Sequence, residues 1–304
     1  LRQEQLTMHK LRSRITLEIF VLFLLIGVAQ ALGKAPPPSE KFTVERDVVY
    51  RKVDGEELKL DAYVPQGEGK FPAVIVIHGG AWRMGDKAAY AAECIALANN
   101  GYAAFTIRYR LLPRHKFPAC VEDCKAAVRW VRQNAAKYKV DPQRIGAFGH
   151  SAGGHLAAML ATIGGTSQFN DDPNAKPEDS RIQAAVCMAG VFEFPPIDFP
   201  LFREFLGGTP QEKPDAYKQA SPLHHVSKST APILLLHGDE DRFVPLIGSQ
   251  RFADALTKAG VENQLVVLKG VGHLYQWGHG EAVRQEMVKF FDKHLKRPTP
   301  AAAK

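Results

Sequence analysis

The sequence predicts an α/β fold, with a mostly parallel central sheet and helices on both of its faces. Short apolar segments of the kind found in buried strands alternate with helix-like segments along the chain. In such an arrangement each helix connects one parallel strand to the next. With 304 residues, 45% of them hydrophobic, the chain is long enough to bury one large core. We therefore expect a single domain of this class.

The predicted elements begin with an antiparallel hairpin. Residues 42–50 and 58–64 have the composition of strands, and the turn Val53-Asp54-Gly55 connects them. Apolar runs predict further strands at 71–78, 102–108, 145–148, 182–189, 232–237 and 264–268. Helix-like segments lie at 87–100, 117–138, 154–160 and 282–295. Asp141-Pro142 is expected to break the chain before the strand at 145–148, and ligands are expected at the carboxyl ends of the parallel strands.

The first 31 residues follow the pattern of a secretory signal peptide. The basic segment 8–14 precedes an apolar run at 19–28, and Ala29-Gln30-Ala31 supplies a small-x-small cleavage signature. A transmembrane anchor is the alternative, but ten apolar residues are too few to span a bilayer. Met8 is a second candidate for the start of translation. We expect an exported protein, periplasmic or extracellular, with no stable membrane anchor after cleavage.

Two segments are expected to flank the folded domain, which is predicted to cover residues 45–296. Residues 32–44, with three consecutive prolines, predict a stiff linker, and residues 297–304 predict a flexible tail. The formal net charge is +7, but no long block of Lys or Arg is present. Nucleic-acid binding is therefore not expected, and the sequence does not indicate an oligomeric state.

Four cysteines are present, at positions 94, 120, 124 and 187. Cys120 and Cys124 are four residues apart on a predicted helix, so they share a face. A disulfide between them is conceivable in an exported protein but needs a tight geometry. No Cys/His spacing indicates a zinc site, and we expect neither a metal nor a cofactor.

Three motifs lie at the carboxyl ends of predicted strands, where chemistry is expected. They are His78-Gly79-Gly80-Ala81-Trp82, the turn Gly149-His150-Ser151-Ala152-Gly153, and a two-part segment of 237–245 and 270–273. A serine hydroxyl becomes a nucleophile only when an imidazole takes its proton, and a carboxylate must hold that imidazole in one tautomer. A Gly-rich loop beside the serine can offer unhindered N–H groups to an oxyanion. Together the motifs predict nucleophilic acyl transfer.

These motifs resemble those of the α/β-hydrolase superfamily. The chain is similar to the carboxylesterase and hormone-sensitive-lipase-like enzymes, nearest the bacterial feruloyl/acetylxylan-esterase-like (BD-FAE-like) group. The resemblance covers about residues 45–296 and includes Tyr109-Arg110-Leu111-Leu112-Pro113 and Asp141-Pro142-Gln143-Arg144-Ile145. It implies an α/β-hydrolase fold with a small lid insertion at about 191–221, and the order Ser, Asp, His is the one this fold uses.

The resemblance also implies the roles of individual residues. Ser151 is expected to be the nucleophile, Asp241 the orienting carboxylate and His273 the general base. The oxyanion hole is expected to consist of the backbone N–H groups of Gly80, Ala81 and Ala152. The chain departs from the lipase-like pattern at Ala81, where a third glycine is usual, and at His150, where an acidic residue is common.

Other residues compete for the catalytic roles. Asp239 and Glu240 are alternative acids, but Asp241 occupies the Asp-x-x-Val-Pro position. His279 is an alternative base, but His273 follows the last strand across a short glycine turn. His150 and His155 are expected to be structural, and His78 is expected to brace its own loop. The pair His224-His225 resembles a metal site only superficially, because no third ligand is spaced with it.

Substrate contacts are expected around the serine. Phenylalanines crowd the insertion at 191–221, either as a lid or as a satellite hydrophobic cluster; they are Phe192, Phe194, Phe199, Phe202 and Phe205. Trp82 and Trp277 are candidate pocket walls, with simple packing as the alternative. Trp82, Phe192, Phe202 and Trp277 are the substrate-binding candidates.

We therefore predict a secreted serine carboxylic ester hydrolase that acts through an acyl-enzyme. Its expected substrates are small-molecule or polysaccharide-linked esters with short acyl chains, including acetyl or feruloyl esters of plant polysaccharides, a step that rests on analogy. The alternatives are an amide-type hydrolase of the same fold, formamidase or peptidase-like, and a catalytically silent carbohydrate-binding member.

Overall fold

The computed structural model describes residues 41–276 and 278–296 and consists of one eight-stranded sheet covered by helices on both faces. The strands are β1 (Phe42–Val53), β2 (Glu56–Pro65), β3 (Phe71–Ile77), β4 (Ala103–Ile107), β5 (Val140–His150), β6 (Ala184–Met188), β7 (Ile233–Gly238) and β8 (Asn263–Leu268). The α-helices are α1 (Ala91–Asn99), α2 (Ala119–Gln133), α3 (Ala152–Ile163), α4 (Pro200–Leu206), α5 (Pro214–Ala220), α6 (Leu246–Lys258) and α7 (Gly280–Leu295). Short 3₁₀ segments lie at Lys87–Tyr90, Pro177–Ser180 and Pro222–His225.

The sheet has the order β1-β2-β4-β3-β5-β6-β7-β8. β1 and β2 form the predicted antiparallel hairpin, β2 pairs antiparallel with β4, and the other neighbours are parallel. Because the sheet is mostly parallel and covered on both faces, the predicted α/β-hydrolase fold is confirmed.

Alternate residues of the central strands face opposite layers of the core. On β3, Ala73, Ile75 and Ile77 belong to the layer beneath α2, α3 and α6, whereas Val74 and Val76 belong to the layer beneath α1 and α7. A strand that is buried on both faces reads as an uninterrupted apolar run, which is why 71–78 was recognisable in the sequence.

Strand β5 begins earlier than the sequence suggests. Val140 already pairs with Phe71, and regular pairing resumes between Ile145 and Ala73 after an irregularity in the register. Asp141-Pro142 therefore lies within a bulged strand and does not break the chain, because a bulge removes the need for a ladder hydrogen bond at the proline.

The segments that flank the domain need one correction. β1 begins at Phe42, which pairs with Pro65, so residues 42–44 belong to the sheet and not to the linker. The proposed signal peptide, the rest of the linker and the tail at 297–304 lie outside the described residues. Within the described ranges, no helix is long and apolar enough to cross a membrane.

All four cysteines are buried and free. The disulfide considered for Cys120 and Cys124 is therefore absent, and burial raises the pKa of both thiols. They pack as small hydrophobic side chains against the sheet.

Candidate active site

Ser151 lies at a sharp turn between β5 and α3. Its backbone has φ 56° and ψ −121°, a strained conformation for a residue with a side chain. A Cβ on Gly149 would lie 2.1 Å from the Gly153 carbonyl oxygen, and a Cβ on Gly153 would lie 2.1 Å from that of Ile77. Both glycines are therefore required by close backbone packing, which lifts Ser151 above the edge of the sheet.

Ser151, His273 and Asp241 form a continuous chain of hydrogen bonds. Ser151 Oγ lies 2.9 Å from His273 Nε2, and His273 Nδ1 lies 2.7 Å from Asp241 Oδ2. Because an ionised carboxylate can only accept, His273 carries its proton on Nδ1, and Nε2 is free to take the serine proton. The three turns that follow β5, β7 and β8 thus bring together the three residues predicted from the motifs.

Asp241 is held by its own loop and by a second histidine. Its Oδ1 accepts hydrogen bonds from the backbone N–H groups of Phe243 and Val244, each at 2.9 Å. His237 Nε2 lies 3.4 Å from Asp241 Oδ2 and 2.9 Å from the Val244 carbonyl oxygen. Burial raises the pKa of Asp241, but hydrogen bonds with His237, His273 and Val244 outweigh it and hold the pKa well below its usual range. The carboxylate is therefore ionised at neutral pH.

The loop after β3 packs against the serine turn. A Cβ on Gly79 would lie 3.2 Å from Ser151 Cβ, so the loop and the serine turn are in close contact. Gly80, Ala81 and Trp82 have φ values of 122°, 53° and 56°, and a Cβ on Gly80 would lie 2.1 Å from the Met84 carbonyl oxygen. Three consecutive residues with positive φ bend the loop back on itself.

The third N–H group considered for the oxyanion hole belongs to Ala152. Ala152 is the first residue of α3, so its N–H has no intrahelical acceptor and lies at the positive end of the helix dipole. The loop that holds Gly80 and Ala81 and the helix that begins at Ala152 therefore meet at the serine turn, where Gly79 and Ser151 approach each other.

His78 braces the same loop. Its Nδ1 lies 2.8 Å from the Gly79 carbonyl oxygen, and its ring stacks on Tyr109 at 4.2 Å. Since a carbonyl only accepts, Nδ1 carries the proton, and this bond fixes the peptide plane whose other end is the Gly80 N–H. Burial lowers the pKa of His78 to about 4, so the ring is neutral.

His155 links the loop at residues 78–86, called the oxyanion loop for its predicted role, to the insertion at 191–221. Its Nδ1 accepts from Trp82 Nε1 at 3.1 Å, and its Nε2 donates to the Ala220 carbonyl oxygen at 2.7 Å. Burial lowers its pKa to about 4. The ring thus connects two segments without contacting the serine hydroxyl.

The alternative catalytic residues have other partners. Asp239 Oδ1 accepts from the Gly270 N–H at 2.7 Å and so stabilises the turn before His273. His279 is the residue before α7. In the pair His224-His225, which was considered as a metal site, His225 Nε2 donates to the Gln219 carbonyl oxygen. Among the residues described, no group of three or more His, Cys, Asp or Glu could hold a metal ion.

The structure does not support all of the predicted substrate contacts. Trp82 is 2% exposed and stacks on Phe205 at 4.3 Å, and Phe192 is 1% exposed and stacks on Phe252 at 4.6 Å. Both rings are therefore covered, Trp82 by the insertion and Phe192 by α6, and packing accounts for the contacts that they make in the structure. Phe202 is partly exposed, and Trp277 lies outside the described residues.

Sequence reasoning missed two residues beside the site. Phe243 is 39% exposed, and its ring centroid lies 5.6 Å from that of His273. Tyr90, the last residue of the 3₁₀ segment that follows the oxyanion loop, bonds to His150. Phe243 lies inside the Asp-x-x-Val-Pro motif, so its position there could have drawn attention to it, whereas nothing local identifies Tyr90.

Comparison with known proteins supports the esterase family that the sequence motifs predict. The BD-FAE family model matches residues 60–256. A probable carboxylic ester hydrolase of Mycobacterium tuberculosis, LipM, is 34% identical over 208 residues, which cover 66% of this chain and 47% of LipM. The chain thus spans about half the length of this curated relative.

Solved esterase structures match over most of their length. A truncated carbohydrate esterase from gut microbiota has a TM-score of 0.76 and 29% identity, covering 86% of this chain and 99% of its own. Esterase 2 of Thermogutta terrifontis has a TM-score of 0.71 and 33% identity, covering 86% and 96%; other structures of it are described as propionate-bound and butyrate-bound. The chain therefore belongs to the BD-FAE family of α/β-hydrolase esterases.

Proposed function

We propose that this protein is a serine carboxylic ester hydrolase that forms an acyl-enzyme on Ser151 with short-chain acyl esters. The observation that carries the proposal is the unbroken hydrogen-bond chain from Ser151 through His273 to Asp241. It stands at the carboxyl edge of the sheet, next to a loop whose N–H groups can receive an oxyanion.

In the first half of the reaction, Ser151 Oγ attacks the ester carbonyl carbon as its proton passes to His273 Nε2. Asp241 stabilises the imidazolium that forms, because its ionised carboxylate accepts the Nδ1 hydrogen bond. The carbonyl oxygen becomes an oxyanion, which the N–H groups of Gly80, Ala81 and Ala152 would stabilise. Collapse of this intermediate breaks the ester C–O bond, and the leaving alkoxide takes the proton from His273.

In the second half, a water molecule replaces the alcohol. His273 Nε2 takes a proton from this water, whose oxygen attacks the acyl carbon on Ser151. The same N–H groups stabilise the second oxyanion, and its collapse returns the proton to Ser151 Oγ and releases the acid. No step needs a group other than these side chains, the backbone and water.

The acyl side is proposed to be short. The insertion is packed with aromatic rings. Its Phe194 contacts Phe202 and Phe205 of the insertion and Trp82 of the oxyanion loop, at centroid distances of 5.0–5.8 Å. Propionate and butyrate in structures of the Thermogutta esterase support acyl groups of this size. The likeness to a carbohydrate esterase supports acetyl or related esters of polysaccharides as one substrate class.

The alcohol side is proposed to contact Phe243. The leaving oxygen must take its proton from His273 Nε2, so the alcohol departs on the His273 side of the serine. Phe243 is exposed on that side, and its backbone is fixed by the hydrogen bond to Asp241. An exposed aromatic face is suited to a flat ring or to the apolar face of a sugar.

Export is proposed on the sequence pattern of residues 1–31, which the site geometry does not address. Expression of the full chain followed by fractionation tests it directly. Activity and a shortened chain outside the cytoplasm support export, and a full-length chain confined to the cytoplasm would argue against it.

The central experiment compares Ser151→Ala with Ser229→Ala, a matched substitution at an exposed serine. With p-nitrophenyl acetate, Ser151→Ala should lose at least about 10³-fold in kcat, whereas Ser229→Ala should match the parent protein. A panel from acetate to decanoate, with methyl ferulate, acetylated xylan and an acyl amide, then sets the substrate class. Faster turnover of the amide would favour the amide-type hydrolase, and an inactive parent that binds xylan would favour the silent carbohydrate-binding alternative.

A further inference from the structure

A buried chain of hydrogen bonds joins the three segments that carry the proposed catalytic groups. Gly79 N–H lies 3.3 Å from the Tyr90 hydroxyl oxygen, and that oxygen lies 3.0 Å from His150 Nδ1. His150 Nε2 lies 2.9 Å from the carbonyl oxygen of His273. The chain therefore runs from the oxyanion loop, through the residue before Ser151, to the backbone of the proposed general base.

The donor and acceptor of every hydrogen bond between Gly79, Tyr90, His150 and His273 follow from the chemistry of the groups. The His273 carbonyl can only accept, so His150 carries its proton on Nε2, and Nδ1 of the neutral ring accepts. Tyr90 must then donate its hydroxyl proton to Nδ1. The Tyr90 oxygen is left as an acceptor for the Gly79 N–H and for the side-chain amide of Gln276. No hydrogen bond between Gly79, Tyr90, His150 and His273 can therefore be reversed alone.

We propose that Tyr90 and His150 are positioning residues, which set the oxyanion loop and the His273 backbone at a fixed separation across Ser151. The Gly79 peptide is held at both ends, because its N–H donates to Tyr90 and its carbonyl accepts from His78. The direction of the following N–H group, that of Gly80, is thereby fixed. At the other end, His150 holds the carbonyl of the same residue whose imidazole faces Ser151.

A neutral His150 is suited to this place. Its ring centroid lies 4.8 Å from that of His273, so a positive charge on both rings would oppose proton transfer to His273. Burial, and next the neighbouring His273, lower the pKa of His150 to about 3. The ring can therefore donate a hydrogen bond without opposing the charge that His273 gains during the reaction.

The histidine also explains the departure of this chain from the acidic residue common at that position in lipase-like enzymes. An ionised carboxylate has no proton to donate, so it could not bond to the His273 carbonyl. His150 supplies both a donor and an acceptor, and Tyr90 supplies the matching pair. The two side chains therefore form a unit.

The test is Tyr90→Phe, which keeps the ring and removes only the hydroxyl, with Tyr102→Phe as the matched control. Tyr102 is also buried, but its hydroxyl donates to Asp292 of α7 and not to a residue of this hydrogen-bond chain. Active sites are titrated with an organophosphate, so that kcat refers only to competent molecules. Because loss of alignment at the reacting centre can cost up to about 10²-fold, we expect kcat per titrated site to fall about 10- to 100-fold in Tyr90→Phe. KM should change less than about threefold, and Tyr102→Phe should keep the parent kcat.

A second variant, His150→Gln, keeps a donor for the His273 carbonyl but cannot accept from Tyr90 in the same geometry. It should show a kcat loss similar to that of Tyr90→Phe, and the double variant should lose little more, because both break one unit. Parent-like kcat per titrated site in Tyr90→Phe, or a loss matched by Tyr102→Phe, would overturn the proposal. The proposal rests on the proposed triad, and the two can fail separately. If the Ser151→Ala variant keeps its activity, the triad is refuted. If Ser151→Ala is inactive but Tyr90→Phe keeps the parent kcat, only the positioning role is refuted.

Discussion

Replacing Asp241 with asparagine tests the orienting carboxylate at nearly constant shape. Asp241 Oδ1 accepts from two backbone N–H groups, those of Phe243 and Val244, so the amide oxygen of Asp241→Asn should occupy that position. The amide NH₂ then faces His273 Nδ1, which lies 2.7 Å from Asp241 Oδ2 in the unsubstituted protein. Since an NH₂ group only donates there, His273 must keep its proton on Nε2 and can no longer accept one from Ser151.

The expected loss is large because the wrong tautomer removes the general base. A substitution of this kind costs about 10⁴-fold in kcat in serine proteases, which corresponds to about 5 kcal/mol in the activation free energy. A smaller cost in stability is also expected, because His237 Nε2 would face the same NH₂ group at 3.4 Å. The assay is steady-state hydrolysis of p-nitrophenyl butyrate, with kcat referred to protein that is folded by circular dichroism.

The matched control is Asp239→Asn, at the acid that competes with Asp241 in the sequence. Asp239 Oδ1 accepts a hydrogen bond from the Gly270 N–H, and the amide oxygen of asparagine can accept that bond equally well. We expect its kcat to stay within about threefold of the parent value. Less than tenfold loss in Asp241→Asn, or an equal loss in Asp239→Asn, would refute the assigned roles.

Three further predictions follow from the geometry. Phe243→Ala should lower kcat/KM about tenfold for aryl or glycosyl acetates and leave methyl acetate nearly unchanged; equal effects on both esters would remove Phe243 from the alcohol side. Gly153→Ala should lower the free energy of unfolding by about 3 kcal/mol or prevent folding, because its Cβ would lie 2.1 Å from the Ile77 carbonyl oxygen, whereas Gly248→Ala, with open space around it, should be neutral or stabilising in the same urea titration. Burial lowers the pKa values of His78, His150 and His155 to about 4, 3 and 4. As the pH drops from about 6.5 towards 4, the unfolded chain therefore binds protons that these neutral rings do not, and the free energy of unfolding should fall by about 1.4 kcal/mol per pH unit for each ring. A Tm that stays constant over this range would contradict the neutral state of the three rings.

The fold was predictable because its signals are local and periodic. The apolar run at 71–78 has the length and composition of a strand buried on both faces, and the motif around Ser151 marks a strand-to-helix turn. Helix α6 was not predicted, although its buried residues Ser249, Phe252 and Leu256 recur at helical spacing. The start of β5 was misplaced because Asp141-Pro142 is read locally as a break, and only the partner strand shows that pairing continues around a bulge.

The proposed catalytic residues were predictable for the same reason, and their surroundings were not. Ser151, Asp241 and His273 each stand in a short motif that follows a strand. The partners of Trp82 and Phe192 depend on the insertion and on α6 folding over them, which no local pattern encodes. The bond between Tyr90 and His150 joins residues 60 positions apart, so it is visible only in three dimensions.

The most direct test of the account is to identify the acylated residue. The protein is mixed with p-nitrophenyl butyrate and quenched within milliseconds in strong acid, which unfolds the protein and so stops deacylation. Its peptides are then examined by mass spectrometry. We expect one butyryl group on the peptide that contains Ser151, formed at the rate of the p-nitrophenol burst, and none in Ser151→Ala. A butyryl group on another residue, or full turnover with no acylated peptide under these conditions, would contradict the central claim.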